Sequence, residues 1–293
     1  MGVGQGRKLS PNIYNIGTIS QTVSSDSDIS AFADDSFDIV HGNTIAECNE
    51  NMRKVVEQRT KWFKNIGLTL NVGKTELIGF GFSPSPVTIA GQLITPVDSV
   101  KFLGFHLQAN LKCDEHINYL RNKLRSASGR IRTEGRHLDI HDRRILFNGW
   151  VLGSLHSNGL AYLPNMTKAD ENALQSAFNA GIRAVAGFPK YGYVPVTETR
   201  RKLGIPSLNS VKNRVLTTAA WKRFHESSLT PFSGDGPVTR NRKNCNLPLP
   251  NQTGHEGKIT ENVLIPVWNS LPLEMKQIRK IDTFKKTIKR THI

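Results

Sequence analysis

Between Thr44 and Phe63 the apolar residues Ile45, Cys48, Met52, Val55, Val56, Trp62 and Phe63 recur mostly every three or four positions, with polar residues between them. That period lines one face of a helix and predicts a helix over this stretch. The same pattern predicts helices within 114–150, over 167–187 and over 208–226. Thr167 is placed to cap the second of these, and Gly187 to stop it. Elsewhere the apolar runs are short. DISAFAD (28–34) and DSFDIVH (35–41) predict a hairpin, and GLTLNVGKTELIGFG (67–81), VTIAGQLI (87–94) and VKFLGFHL (100–107) predict strands. PNIYNIGTIS (11–20) fits the end of a helix. Residues 227–258 are rich in Pro, Gly, Ser and Asn and predict a linker or disordered loop. A basic helix closes the chain. The reading is an α+β protein: a mixed region over 1–110, a helical region over 111–226, the linker over 227–258 and a helical tail over 259–293.

Charge changes this picture. The 293 residues carry 39 Lys and Arg against 24 Asp and Glu, a formal net of +15. Residues 1–50 hold seven acidic and two basic side chains, a net of −5, so the rest carries +20. Six of the sixteen residues 121–136 are Lys or Arg, opposed only by Glu134. A basic body behind a small acidic cluster suits a polyanion approaching a cation-binding point; an acidic membrane surface is the alternative. Cys48, Cys113 and Cys245 have no metal-ligand or disulfide spacing and point to a reducing compartment. No apolar run approaches membrane-spanning length, and MGVGQGRKLSP lacks a signal core. The expectation is an intracellular protein, nuclear or cytoplasmic and not secreted, with no membrane partner.

Candidate chemistry is sparse. Gly2, Gly4 and Gly6 do not match the dinucleotide fingerprint, and VGKTE (72–76) fails the Walker pattern because position 68 is Leu. His137 and His141 are four apart but have no arranged carboxylate. The adjacent carboxylates of AFADDSFDIV (31–40) remain. Asp34 and Asp35 are either a solvated turn or part of an oxygen-ligand set for Mg²⁺, since phosphoryl transfer by two metals needs several converging carboxylates. Apolar and small residues on both sides (Ile29, Ala31, Ala33, then Phe37, Ile39, Val40) favour a stiff carrier over a loose turn.

Taken in order, the segments resemble the reverse transcriptase of non-LTR (LINE-type) retrotransposons. GVGQGRKLSP is similar to motif B of that family, AFADDS to motif C, and GLTLNVGKTEL after the Trp62–Phe63 helix to motif D. VKFLGFHL is similar to motif E, and WNSLP with TFKKTIK to a stretch near the end of these proteins. The resemblance implies a partial polymerase palm, motifs B to E, followed by a basic helical thumb. It implies RNA-directed DNA synthesis in the parent enzyme, on an RNA template with a DNA primer or an RNA–DNA hybrid. Asp34 and Asp35 would hold Mg²⁺. Gln5 and Gly6 would line the template–nucleotide site, and Lys74 would sit near the triphosphate. Phe102, Leu103 and Gly104 would position the primer. Arg121, Lys123, Arg125, Arg130 and Arg132 would meet backbone phosphates.

The match also departs from the family. Gly4 stands where Pro is usual and Arg7 where a small residue is usual. The further Asp of motif A is not among these residues, nor are the family's endonuclease domain and Cys/His knuckle. The expectation is therefore a chain inactive or nearly so alone, binding Mg²⁺ weakly, with an N-terminal polymerase half as a partner. A non-enzymatic nucleic-acid-binding remnant and a decayed copy are the alternatives.

Overall fold

The computed structural model describes residues 8–9, 12, 27–32, 35–189, 193–229, 244–247 and 261–291. They form two compact units. One is the chain through Phe102 together with His106–Lys112; the other is Leu103–Phe105 with the chain from Cys113 onward.

In the first unit, β1 (Ser27–Phe32) and β2 (Asp35–Val40) pair antiparallel, with Phe32 opposite Asp35 and Ile29 opposite Asp38. Helix α1 (Ile45–Asn65) begins where Glu47 N–H donates to Thr44 Oγ1 at 3.1 Å. It ends at Gly67, whose φ of +72° lets Leu68 N–H return to the Phe63 carbonyl at 2.9 Å. Met52 of this helix packs with Val87, Ile89 and Ile94 in a small core.

The stretches 87–94 and 100–107, expected as single strands, are each a hairpin: β3 (Val87–Ile89) with β4 (Gln92–Ile94), and β5 (Ser99–Phe102) with β6 (Phe105–Gln108). Their two-residue turns, Ala90–Gly91 and Leu103–Gly104, take positive φ at both positions (+50° and +84°, +45° and +79°). That is the conformation whose twist matches a tight hairpin. Where a palm predicts one small sheet, the described residues form three separate two-stranded sheets. Residues 67–81 are not a strand. Gly67 turns the chain, Val72–Lys74 is a short 3₁₀ turn, and one bridge joins Leu77 to Pro96.

The second unit is helical. Helices α2 (Asp114–Thr133) and α3 (Ile140–Phe147) are followed by a π-helical turn, Asn148–Leu152, which runs into α4 (Gly153–His156). Then come α5 (Gly159–Tyr162), α6 (Lys168–Val185), α7 (Val196–Lys202) and α8 (Leu208–Leu229). The Thr167 cap is a reciprocal box with Asp170. Leu124, Ile131, Phe147, Phe178 and Ile182 are buried together in the main core. Gly181 lets α6 approach closely, since a Cβ there would lie 2.7 Å from the Phe147 ring.

A second core joins the end of α8 to α9 (Glu261–Asn269), α10 (Leu273–Lys276) and α11 (Ile281–Thr291) through Trp221, Phe224, Trp268, Phe284 and Ile288. Against it lies Asn244–Leu247, the part of the expected linker, beyond the end of α8, that the structure describes. Trp268 Nε1 donates to the Cys245 carbonyl at 2.9 Å, and Asn269 pairs with both backbone groups of Leu247 at 2.8 and 2.9 Å. The buried Lys276 Nζ donates to the Asn244 carbonyl at 3.0 Å and to Asn246 Oδ1 at 2.7 Å. Among the described residues no helix is long and apolar enough to cross a membrane.

Candidate functional site

The hairpin expected to carry the carboxylates is present. Phe32 and Asp35 face each other at its end, which leaves Ala33 and Asp34 as the two residues between the strands. Asp35 is exposed, while Asp34 lies outside the described residues, as do Gln5 and Gly6. Asp35, at the end of the hairpin, offers a hard oxygen donor of the kind Mg²⁺ takes. Among the described residues no group of three or more His, Cys, Asp or Glu side chains converges. His137 and His141 also do not share one helix, since His137 ends a 3₁₀ turn and His141 lies in α3.

Behind the hairpin, Phe37 of β2 stacks on Phe102 of β5 with centroids 4.9 Å apart and planes 26° from parallel. The strand that starts at Asp35 is thereby joined to the strand leading into the Leu103–Gly104 turn. Lys74 is exposed in the Val72–Lys74 turn.

One anchor of the hairpin gave no signal in the sequence. Arg59 of α1 is 7% exposed, and its Nε donates to Asp38 Oδ2 at 3.2 Å. Its guanidinium lies 5.4 Å from the Trp62 ring and 5.1 Å from that of Phe63. Burial raises the Asp38 pKa above the ordinary carboxylate value, and Arg59 offsets part of that rise. Both terminal nitrogens of Arg59, Asp38 Oδ1, Trp62 Nε1 and Ser27 Oγ are buried without hydrogen-bond partners among the described residues. Arg59 and Asp38 stand 21 residues apart, and only the tertiary fold brings them together.

On α2 the five basic candidates occupy two stripes. Arg121, Arg125 and Arg132 run along one flank of the buried face, and Lys123 and Arg130 along the other with Tyr119. Arg130 makes a two-point bond to Glu134 at 2.9 and 3.1 Å and lies 4.1 Å from the Trp150 ring centroid. Arg132 donates to the Phe188 carbonyl. Lys123 and Arg125 are exposed, and Arg121 is half-buried.

Other arginines of this unit also close helix ends. Helices α6 and α7 stop at Gly187 and Gly204, where Phe188 and Ile205 N–H groups return to the carbonyls of Arg183 and Arg200. Arg143 donates to the Val185 carbonyl at 3.2 Å, and Arg144 to that of Leu203 at 3.1 Å, where helices leave carbonyls unpaired. A further cationic group, also without a sequence signal, comprises His156 of α4, Arg214 of α8 and Lys289 of α11. Burial, then the charges of Arg214 and Lys289, hold the His156 pKa below its ordinary value. Lys285, Lys286 and Arg290 are exposed on α11 beside it.

No family model matches the chain, and neither a curated protein nor a solved structure shows significant similarity to it.

Proposed function

We propose that this chain is part of an RNA-directed DNA polymerase of the non-LTR retrotransposon type, and that by itself it binds nucleic acid without completing the reaction. The observation that carries the reading is the Phe37–Phe102 stack. It joins the hairpin of the carboxylate pair to the strand entering the Phe-Leu-Gly turn, the two segments a polymerase palm needs side by side. Asp34 and Asp35 are the residues that would hold Mg²⁺, which when bound neutralises charge on the transferring phosphoryl group. Polymerisation then belongs to an assembly in which another carboxylate joins them. Lys123, Arg125 and the exposed cations of α11 supply phosphate contacts that do not select sequence.

The test is binding of a labelled RNA–DNA hybrid over a salt series, with primer extension in Mg²⁺ run in parallel. Binding should fall steeply between 50 and 200 mM salt, as counterion release requires, by about tenfold or more. Lys123→Gln with Arg125→Gln should weaken it further, whereas Arg130→Gln and Arg132→Gln should leave it nearly intact, because those guanidiniums serve Glu134 and Phe188. Extension should stay at background. Salt-independent binding, or indifference to the Lys123 and Arg125 changes, would overturn the reading.

A second reading, a binding remnant with no polymerase role, is favoured by one observation. Residues 113–293 hold 29 basic and 14 acidic side chains, which accounts for the whole net charge of +15. Restoration of primer extension by a separately supplied polymerase N-terminal half would decide against it.

A further inference from the structure

In the first unit an open groove of about 630 Å³ lies between one stripe of α1 and the outer side of β3. Arg53, Glu57, Thr60, Lys61 and Lys64 recur along that stripe at helical spacing, and the facing wall is Pro86 to Ala90.

The backbone of that wall is what makes the groove more than a charged surface. A two-residue hairpin loop closes with a hydrogen-bonded pair, here Ile89 with Gln92, and the next pair, Thr88 with Leu93, turns its backbone groups outward. Among the described residues β3 pairs with β4 alone, so the N–H and C=O of Thr88 face the groove as a strand edge. Val87 and Ile89 point the other way and are buried in the small core.

We propose that this groove binds an extended acidic peptide segment, which adds to β3 as a third strand. One of its residues exchanges both backbone hydrogen bonds with Thr88, and its acidic side chains meet Arg53, Lys61 and Lys64. The lengths agree. Arg53 to Lys64 spans about 16 Å of helix, which is about five residues of extended chain.

The lining sets the sign of the occupant. It carries three cations and one carboxylate, and that carboxylate, Glu57, is 2.7 Å from Lys61. Lys64 has no ion-pair partner among the described residues, and Arg53 stands 3.8 Å from Glu50. A strand edge selects a peptide backbone over a phosphodiester, which has no N–H to give. Glu57 inside the groove also repels a continuous row of phosphates. Pro86, which has no N–H to offer, leaves Thr88 as the one residue of β3 able to exchange two bonds with the incoming strand.

The probe is a fluorescein-labelled eight-residue peptide alternating Glu and Val, titrated into the whole chain by fluorescence anisotropy. A Lys–Val peptide and a single-stranded oligonucleotide serve as comparators. Saturable binding of the Glu–Val peptide and not of the Lys–Val peptide is expected, weakened at least tenfold by Lys61→Gln with Lys64→Gln, while oligonucleotide bound at α2 and α11 is held equally well by that variant. Strand addition is read separately, in the unsubstituted protein, as slowed amide exchange at Thr88 when the peptide is present.

Binding without Thr88 protection would mean charge attraction only and would overturn the proposal. So would oligonucleotide binding lost in the Lys61/Lys64 variant, which would make the groove a nucleic-acid face. If no probe binds, Pro86 and the lysines merely guard an exposed edge. Failure of the peptide to bind, or of Thr88 to be protected, does not bear on the polymerase reading, which rests on other residues.

Discussion

Through Lys112 the chain carries ten acidic and ten basic side chains and is electrically neutral; from Cys113 onward it carries all of the +15. The two units also use arginine differently. In the first, Arg59 is buried beside one carboxylate with both terminal nitrogens unpartnered among the described residues, near a small cluster of Met52, Val87, Ile89 and Ile94. In the second, Arg132, Arg143, Arg144 and Arg200 give hydrogen bonds to backbone carbonyls, several at helix ends, around two larger cores. Charge count is therefore a poor guide to binding capacity. Much of the positive charge in the second unit holds the fold, and the cations left for a polyanion are those without such partners. The first unit keeps buried polar groups that no described residue satisfies.

The sharpest way to break this contrast is in the second unit. Trp268 is fully buried and its Nε1 holds the Cys245 carbonyl. Trp268→Ala should cost about 3–5 kcal/mol through the cavity and the lost bond. In urea unfolding it should shift the transition of the second unit and leave that of the first in place. A single transition moved as a whole would mean that the units do not unfold independently.

Next in size is Arg59→Met, which strands the carboxylate of Asp38 beneath the hairpin. A buried pair broken on one side costs about 3 kcal/mol. Because Asp38 is 26% exposed, about 2 kcal/mol is the better expectation here, with partial solvation of the orphaned group. Adding Asp38→Asn should recover most of it. If the double variant is no better than the single one, Arg59 acts through its packing on Trp62 and Phe63 rather than through charge.

What the sequence disclosed follows from how local each feature is. Helices α1, α6 and α8 were legible because their periodicity is local, and at α6 Thr167 and Gly187 also mark the two ends. The hairpins at 87–94 and 100–107 were read as single strands because Ala90 and Leu103 occupy left-handed turn positions where Asn, Asp or Gly is the usual signal. Residues 67–81 alternate like a strand, but apart from the one bridge at Leu77 no strand lies alongside to pair with them among the described residues. At the candidate site the carboxylate hairpin was visible. Arg59 with Asp38, and His156 with Arg214 and Lys289, were not, since each joins separate elements and neither leaves a local pattern. The same holds for the Phe188 carbonyl that Arg132 meets, whereas Glu134 stands one helical turn from Arg130.

The Ala90 turn gives a smaller effect of opposite sign. A non-glycine residue at φ +50° carries a steric cost that Asn tolerates better. Ala90→Asn should therefore stabilise the first unit by about 0.5 kcal/mol, read as a higher urea midpoint with an unchanged slope. No gain would mean that the turn relaxes into another form in solution.

The smallest effects are those of pH, and they should have opposite signs in the two units. Asp38 has a folded pKa above its ordinary 3.8, so between those two values the folded state holds protons that the unfolded state releases. Its contribution is greatest below 3.8 and is lost as pH rises through the folded value. His156 has a folded pKa below its ordinary 6.5, because it is partly buried and two cations oppose its protonation. Its contribution is full above 6.5 and is lost as pH falls toward the folded value. The denaturation midpoints of the two units, followed from pH 7 down through this window, should diverge. Asp38→Asn should flatten the first slope and His156→Gln the second. A polyanion seated on Arg214 and Lys289 would reduce the field on His156 and return its pKa toward 6.5. Nucleic-acid binding should then tighten as pH falls through that value, and His156→Gln should abolish this increment while leaving binding at pH 8 unchanged. Binding that ignores pH across the window would place the polyanion elsewhere, on the Lys123 and Arg125 faces of α2.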